Sequence, residues 1–126
     1  MKTYSFQFGI TLLVVLILAS ACSSLPSNYA FVGNWQGNGI DSKGNEFNFA
    51  AKVFDLGDEQ YKILILDKID SLKQPLHVIN GTLKNNKFTS SADNGKYTGG
   101  GVLHNDMYEG FYKGPVNGTY KMWRIK

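Results

Sequence analysis

Between residues 31 and 126 the chain breaks into short runs in which apolar and polar residues alternate, separated by clusters of Asn, Asp, Gly and Pro. The alternation is clearest over 46–54, where Phe47, Phe49, Ala51 and Val53 share one side and Glu46, Asn48 and Lys52 the other. A period of two with one apolar side is the pattern of a half-buried β-strand. Eight such runs predict strands over 31–40, 46–54, 60–66, 76–83, 87–91, 96–103, 107–113 and 119–125. The third run departs from the pattern, since Tyr61, Ile63 and Ile65 on one face are matched by Leu64 and Leu66, with Lys62, on the other. That predicts a strand covered on both faces, at the centre of the structure.

The breaks have hairpin chemistry. Asp58-Glu59, Asn85-Asn86, Asp93-Asn94-Gly95, Asn105-Asp106 and Asn117-Gly118 supply residues that tolerate the positive φ of tight turns. Only 67–75 is a longer connection, and the spacing of its Ile69 and Leu72 suits a single helical turn serving as a lid or a crossover. A meander of this kind disposes of its exposed edges by closing into a barrel or folding into a sandwich. The barrel is favoured by Gly33-Asn34-Trp35 in the first run and Arg124 in the last, which resemble the Gly-x-Trp and terminal Arg of lipocalin-like barrels. In that family the arginine packs on the tryptophan and closes one end. The expected fold is therefore all-β, an eight-stranded antiparallel meander closing as a small lipocalin-like barrel or half-barrel.

Ahead of this domain the sequence reads as an export signal, and a signal-peptide helix is expected over 1–21. Lys2 is the positive n-region, residues 10–18 are an apolar stretch, and Ala19-Ser20-Ala21 are small residues leading into Cys22. The apolar stretch is shorter than the roughly 20 residues a spanning helix needs. Leu18-Ala19-Ser20-Ala21-Cys22 resembles the bacterial lipobox, departing from it in having Ala19 where leucine is commonest. The resemblance implies cleavage before Cys22 and a diacylglycerol on its sulfur. Cys22 is the only cysteine, so it has no intramolecular disulfide partner in the oxidising compartment that export implies. Residues 22–30 then form the attachment site and a polar tether containing Pro26, and 31–126 the folded domain. By resemblance to the enterobacterial sorting pattern, Ser23 after the cysteine directs such a protein to the outer membrane, facing the periplasm.

Three stretches of the folded region also look like the small β-domain that precedes the catalytic domain in bacterial 3-keto-disaccharide hydrolase-like proteins. They are Phe31-Val32-Gly33-Asn34-Trp35-Gln36-Gly37, the run from Ala51 through Leu56-Gly57-Asp58 to Tyr61, and Thr119-Tyr120-Lys121-Met122-Trp123-Arg124. The family's catalytic domain follows the last strand, so the resemblance carries over no catalytic residue. Its glycine-rich loop after the third strand is replaced here by 67–75. A single MORN-like stretch from Tyr108 to Gly118 reads as an ordinary hairpin, because such repeats stabilise one another only in stacks.

Charge and chemistry narrow the function by exclusion. The formal charge is +3, and removal of 1–21 takes away one lysine and no acid, leaving +2. The lysines form no stripe, which speaks against nucleic acid as a partner. His77 and His104 lie in no metal-ligand spacing, no nucleophile elbow or phosphate-binding loop is present, and no metal or other cofactor is expected. Asp55, Asp58 and Glu59 read as turn formers in preference to a weak calcium site, and Gly99-Gly100-Gly101 as a bend or a close backbone approach. Asn80-Gly81-Thr82 and Asn117-Gly118-Thr119 match the glycosylation acceptor but read as strand and turn polar residues. What remains is aromatic: Trp35, Tyr97, Tyr108, Tyr112 and Trp123, with Arg124, are the candidate ligand-binding residues, and Tyr120 belongs to the same pool. The expected function is a non-enzymatic module held at the membrane by its N-terminal lipid, binding a glycan, a small apolar ligand or an envelope protein. The alternatives are an accessory lipoprotein without a small ligand and a small hydrolase built on His77 or His104 with a carboxylate.

Overall fold

The computed structural model describes residues 31–126. The signal peptide, Cys22 and the tether lie outside the described residues. The eight strands are β1 (Gly33–Asp41), β2 (Glu46–Gly57), β3 (Gln60–Leu66), β4 (His77–Lys84), β5 (Lys87–Ala92), β6 (Tyr97–His104), β7 (Met107–Lys113) and β8 (Gly118–Arg124). Each pairs antiparallel with the next, and β8 returns to pair with β1 from Trp35↔Arg124 to Asp41↔Gly118. The result is a closed barrel, so the sandwich is excluded and no edge is left open. Eight strands enclose an interior just wide enough for side chains, or for side chains and one small ligand.

Two expectations need correction. A closed barrel has no central strand, and β3 is one wall element among eight. Its Tyr61 and Ile63 are buried inside, while on its outer face only Leu66 is buried and Lys62 and Leu64 are half-exposed. The 67–75 connection is neither a helix nor a crossover. It joins the neighbours β3 and β4, and its single turn is closed by the Ser71 amide donating to the Lys68 carbonyl at 3.1 Å.

Inward positions follow the period of two around the whole wall, and many are glycine. A Cβ on Gly37 would strike the Phe49 ring, one on Gly101 the Tyr108 ring, one on Gly110 the Tyr120 ring and one on Gly118 the Tyr112 ring. In each case a bare backbone on one strand lets a neighbouring strand lay a flat ring across it, which is how eight strands hold this many aromatics inside. Gly99, Gly100 and Gly101 are indeed a close approach, since a Cβ on any of them would meet a carbonyl oxygen of an adjoining strand.

The strand order gives the barrel two unlike ends. At one, tight turns carry positive φ at Asp58 and Glu59, at Asn85 and Asn86, and at Asn105. Here the interior is sealed. Phe31 is fully buried, with its ring 5.3 Å from those of Tyr61 and Phe88 and 5.4 Å from that of Tyr108. Trp35, also fully buried, donates its Nε1–H to the Phe31 carbonyl at 3.1 Å. Arg124 lies 4.5 Å from the centre of the Trp35 ring and donates to the Val32 carbonyl at 2.6 Å and to the Asp106 carboxylate at 3.1 Å. Gly33 has φ +139°, and a Cβ there would lie 2.6 Å from the Arg124 guanidinium. The Gly-x-Trp and the terminal arginine thus form one plug, as their resemblance to lipocalin-like barrels implied.

Candidate ligand cavity at the open end

The opposite end is formed by the β1–β2 turn, the 67–76 connection, the β5–β6 turn and the β7–β8 turn. Inward residues here leave a cavity of about 340 Å3. Phe47 and Phe49 of β2, Ile65 of β3, Ile79 of β4 and Ala92 of β5 make its apolar wall. Tyr97, Tyr112 and Tyr120 from β6, β7 and β8 make an aromatic one. The rings continue from one wall to the other: Phe47 lies 6.3 Å from Tyr112, Phe49 lies 5.8 Å from Tyr120, and Tyr97 lies 6.0 Å from Tyr112. Leu76 and Val116 reach the rim from the connections, and Leu76 is more than half exposed.

Burial pushes the ionisation of Tyr120 up to about 12 and that of Tyr112 upward, the latter helped by the nearby charges of Asp41 and Tyr97. Both hydroxyls therefore stay protonated and neutral at physiological pH. Asp41 stands at the rim, its carboxylate accepting from the amides of Lys43 and Asn45 and from the Asn45 side chain. These bonds, led by the Asn45 amide, hold its carboxyl below the ordinary value.

One polar pair stands at the mouth. His77 opens β4 facing inward, and its Nδ1 lies 2.6 Å from Oδ2 of Asp93 in the β5–β6 turn. The other Asp93 oxygen accepts from the Val78 amide at 3.4 Å, and the His77 ring meets that of Tyr97 edge-on at 6.0 Å. Burial pushes the Asp93 carboxyl upward, and the His77 and Val78 hydrogen bonds together with the charges of His77 and Lys96 more than reverse it.

The sequence-predicted ligand residues divide between the two ends and the outer wall. Tyr97 and Tyr112 line the cavity. Trp35 and Tyr108 fill the sealed end, each fully buried, and Arg124 caps Trp35. Trp123 faces outward on β8 and is exposed. The Tyr108 hydroxyl, buried so deeply that its ionisation is driven far up, makes no ordinary hydrogen bond and has Tyr120 as the polar neighbour acting on it. His104 is exposed near the sealed end. Asp55 caps its own turn by accepting from the Gly57 amide at 2.7 Å, and no cluster able to hold a metal ion exists among the described residues. The His77–Asp93 pair was the feature hardest to find in the sequence. A signal was present, because period two places His77 on the same face as Ile79 and Leu83, but nothing local ties it to a residue sixteen positions away.

No family model and no curated protein matches the chain. Among solved structures it is similar to a redesigned β-barrel, with TM-score 0.61 and 13% identity over 77% of this chain and 93% of that one. It is also similar to a fluorescence-activating β-barrel designed de novo, with TM-score 0.54 and 16% identity over 76% of this chain and 94% of that one. At these identities the likeness is one of fold.

Proposed function

We propose that the domain is a non-enzymatic binding module that takes a small apolar ligand into the open end of its barrel. The observation that carries this is the 340 Å3 cavity, which falls within the usual range for small-molecule sites and has aromatic and aliphatic walls. Of the ligand classes the sequence left open, this one fits best. A glycan needs hydroxyl partners throughout, and here the lining is mostly apolar, with Asn48, Ser90, Thr98 and the tyrosine hydroxyls as its polar groups besides Asp41 and His77. Titration with N-phenyl-1-naphthylamine, a neutral apolar fluorophore, is expected to give a saturable, blue-shifted enhancement. Ala92→Phe, which extends a ring into the cavity from β5, is expected to abolish it with the far-UV circular dichroism unchanged. Equal enhancement by both proteins would show that the dye binds elsewhere.

The reading includes a bacterial lipoprotein anchored through Cys22, in the outer membrane and facing the periplasm. It is supported by the lipobox-like sequence and by the lone thiol. Several acyl chains give stable anchoring at roughly 0.8 kcal/mol per buried methylene. Residue 31, the first of the described residues, lies at the sealed end, opposite the mouth. Cys22→Ala is expected to abolish incorporation of a labelled fatty acid, and unchanged labelling would defeat the anchor.

The His77–Asp93 pair supports a second reading, a small hydrolase in which His77 acts as general base. No serine, threonine or cysteine hydrogen-bonds to His77 among the described residues, so water would be the nucleophile. Turnover of 2-naphthyl acetate above the buffer rate, lost in His77→Phe, would establish that reading over the first.

A further inference from the structure

The binding reading leaves open what a ligand must carry besides apolar surface, and the mouth supplies an answer through a single atom. Asp93 is held as a carboxylate, which has no proton to donate, so the 2.6 Å bond to His77 requires the proton to sit on Nδ1. In the neutral imidazole this leaves Nε2 as a bare acceptor on a ring that lines the cavity. An acceptor beside an apolar chamber is satisfied by a hydroxyl or amine hydrogen and by nothing that lacks one.

The charges around the mouth narrow the choice further. Asp41 and Asp93 place two carboxylates there, which disfavours an anionic head group. Asp41 has its oxygens engaged within its own turn, so it offers a cation little. Lys96, whose ammonium is 5.9 Å from the centre of the Tyr97 ring and whose charge acts on Asp93, is not among the residues that line the cavity. Tyr97, Tyr112 and Tyr120 can give or accept a bond and discriminate weakly, whereas Nε2 opposite a fixed carboxylate has one polarity.

Resting on the binding reading, we infer that the cavity selects an apolar molecule bearing an uncharged hydroxyl, an alcohol or phenol, whose O–H donates to Nε2 of His77. The ring is a specificity-determining group and Asp93 its positioning residue, fixing which nitrogen carries the proton.

The test compares three ligands of nearly the same body: 2-naphthol, 2-methoxynaphthalene and naphthalene, each displacing N-phenyl-1-naphthylamine at pH 8. In the unaltered protein 2-naphthol is expected to bind about tenfold more tightly than the other two, one net hydrogen bond being worth about that factor. In His77→Phe the three affinities should converge, whatever the new ring does to the affinity for naphthalene itself. Asp93→Asn lets the amide donate to Nδ1 and moves the proton to Nε2, so 2-naphthol should lose its lead over 2-methoxynaphthalene. Three equal affinities in the unaltered protein, or an undiminished preference in His77→Phe, overturn this inference and leave the cavity standing. Failure of all three to bind overturns the cavity reading, and this inference with it.

Discussion

The two ends of the barrel are built from the same alternating strands and reach opposite outcomes. At the sealed end Phe31, Trp35, Tyr108 and Met122 are fully buried, and the polar atoms of Trp35 and Arg124 are spent on backbone carbonyls and on Asp106. At the open end rings of similar size line a void, and the polar pair His77–Asp93 is left half in solvent, with side-chain exposures of 49% and 29%. The difference lies in what closes the tube. Phe31, from just outside the wall, supplies the extra ring that fills one end, while at the other the 67–76 connection turns Leu72 fully outward and brings no such plug. Dense packing concentrates stability, and a chamber left empty gives up those contacts for access. The sealed end is therefore where stability should reside, and the open end where binding should.

The sharpest way to break that division is Trp35→Ala. Removing a fully buried indole, with its bond to Phe31 and its stacking on Arg124, is expected to cost about 3–5 kcal/mol, read as a fall in the urea midpoint. In the fraction that remains folded, dye binding at the open end should persist, because Trp35 does not line the cavity. Loss of binding with stability intact would mean that the two ends are not separable in this way.

Arg124→Met asks the same question more gently, since it keeps the aliphatic stem and removes the guanidinium. The stacking on Trp35 and the bonds to Val32 and Asp106 disappear together, for an expected loss of about 2 kcal/mol in urea unfolding. Arg124→Lys should recover less than half of that, because an ammonium lacks the planar fork that reaches both partners while lying on the ring. Full recovery would reduce the role of Arg124 to that of a point charge.

The sealed end was also the more legible of the two in the sequence. Period two located all eight strands, and Gly33, Trp35 and Arg124 pointed to the closure by their resemblance to lipocalin-like barrels, although Trp35 and Arg124 also stood among the candidate ligand residues, since an aromatic or a cation suits either role. The open end was hidden for two reasons. Facing inward is readable from alternation, but position along the barrel axis is not, so Tyr108 and Tyr112, on one face of β7, could not be divided into core and cavity. The His77–Asp93 pair depends on β4 and β5 meeting in one register, with the β5–β6 turn folded back to the start of β4.

That pair gives the smallest effect and the most specific one. Asp93 has its pKa lowered in the folded protein, where the His77 and Val78 hydrogen bonds and the charges of His77 and Lys96 outweigh the upward push of burial. Linkage then fixes the sign. The carboxylate stabilises the fold wherever it is ionised in both states, which is above its ordinary value of 3.8, and the contribution disappears as pH falls through the lower folded value. Asp93→Asn should therefore cost roughly 0.2–1 kcal/mol near pH 7, the range for pairs this exposed. The gap to the unaltered protein should hold down to about pH 5 and then close as the carboxylate of the unaltered protein is protonated. Urea midpoints for the two proteins at pH 7, 5, 4 and 3 would trace this. A gap of constant size across that series would assign the cost to lost packing, and the charge at the mouth would then have no part in holding the open end together.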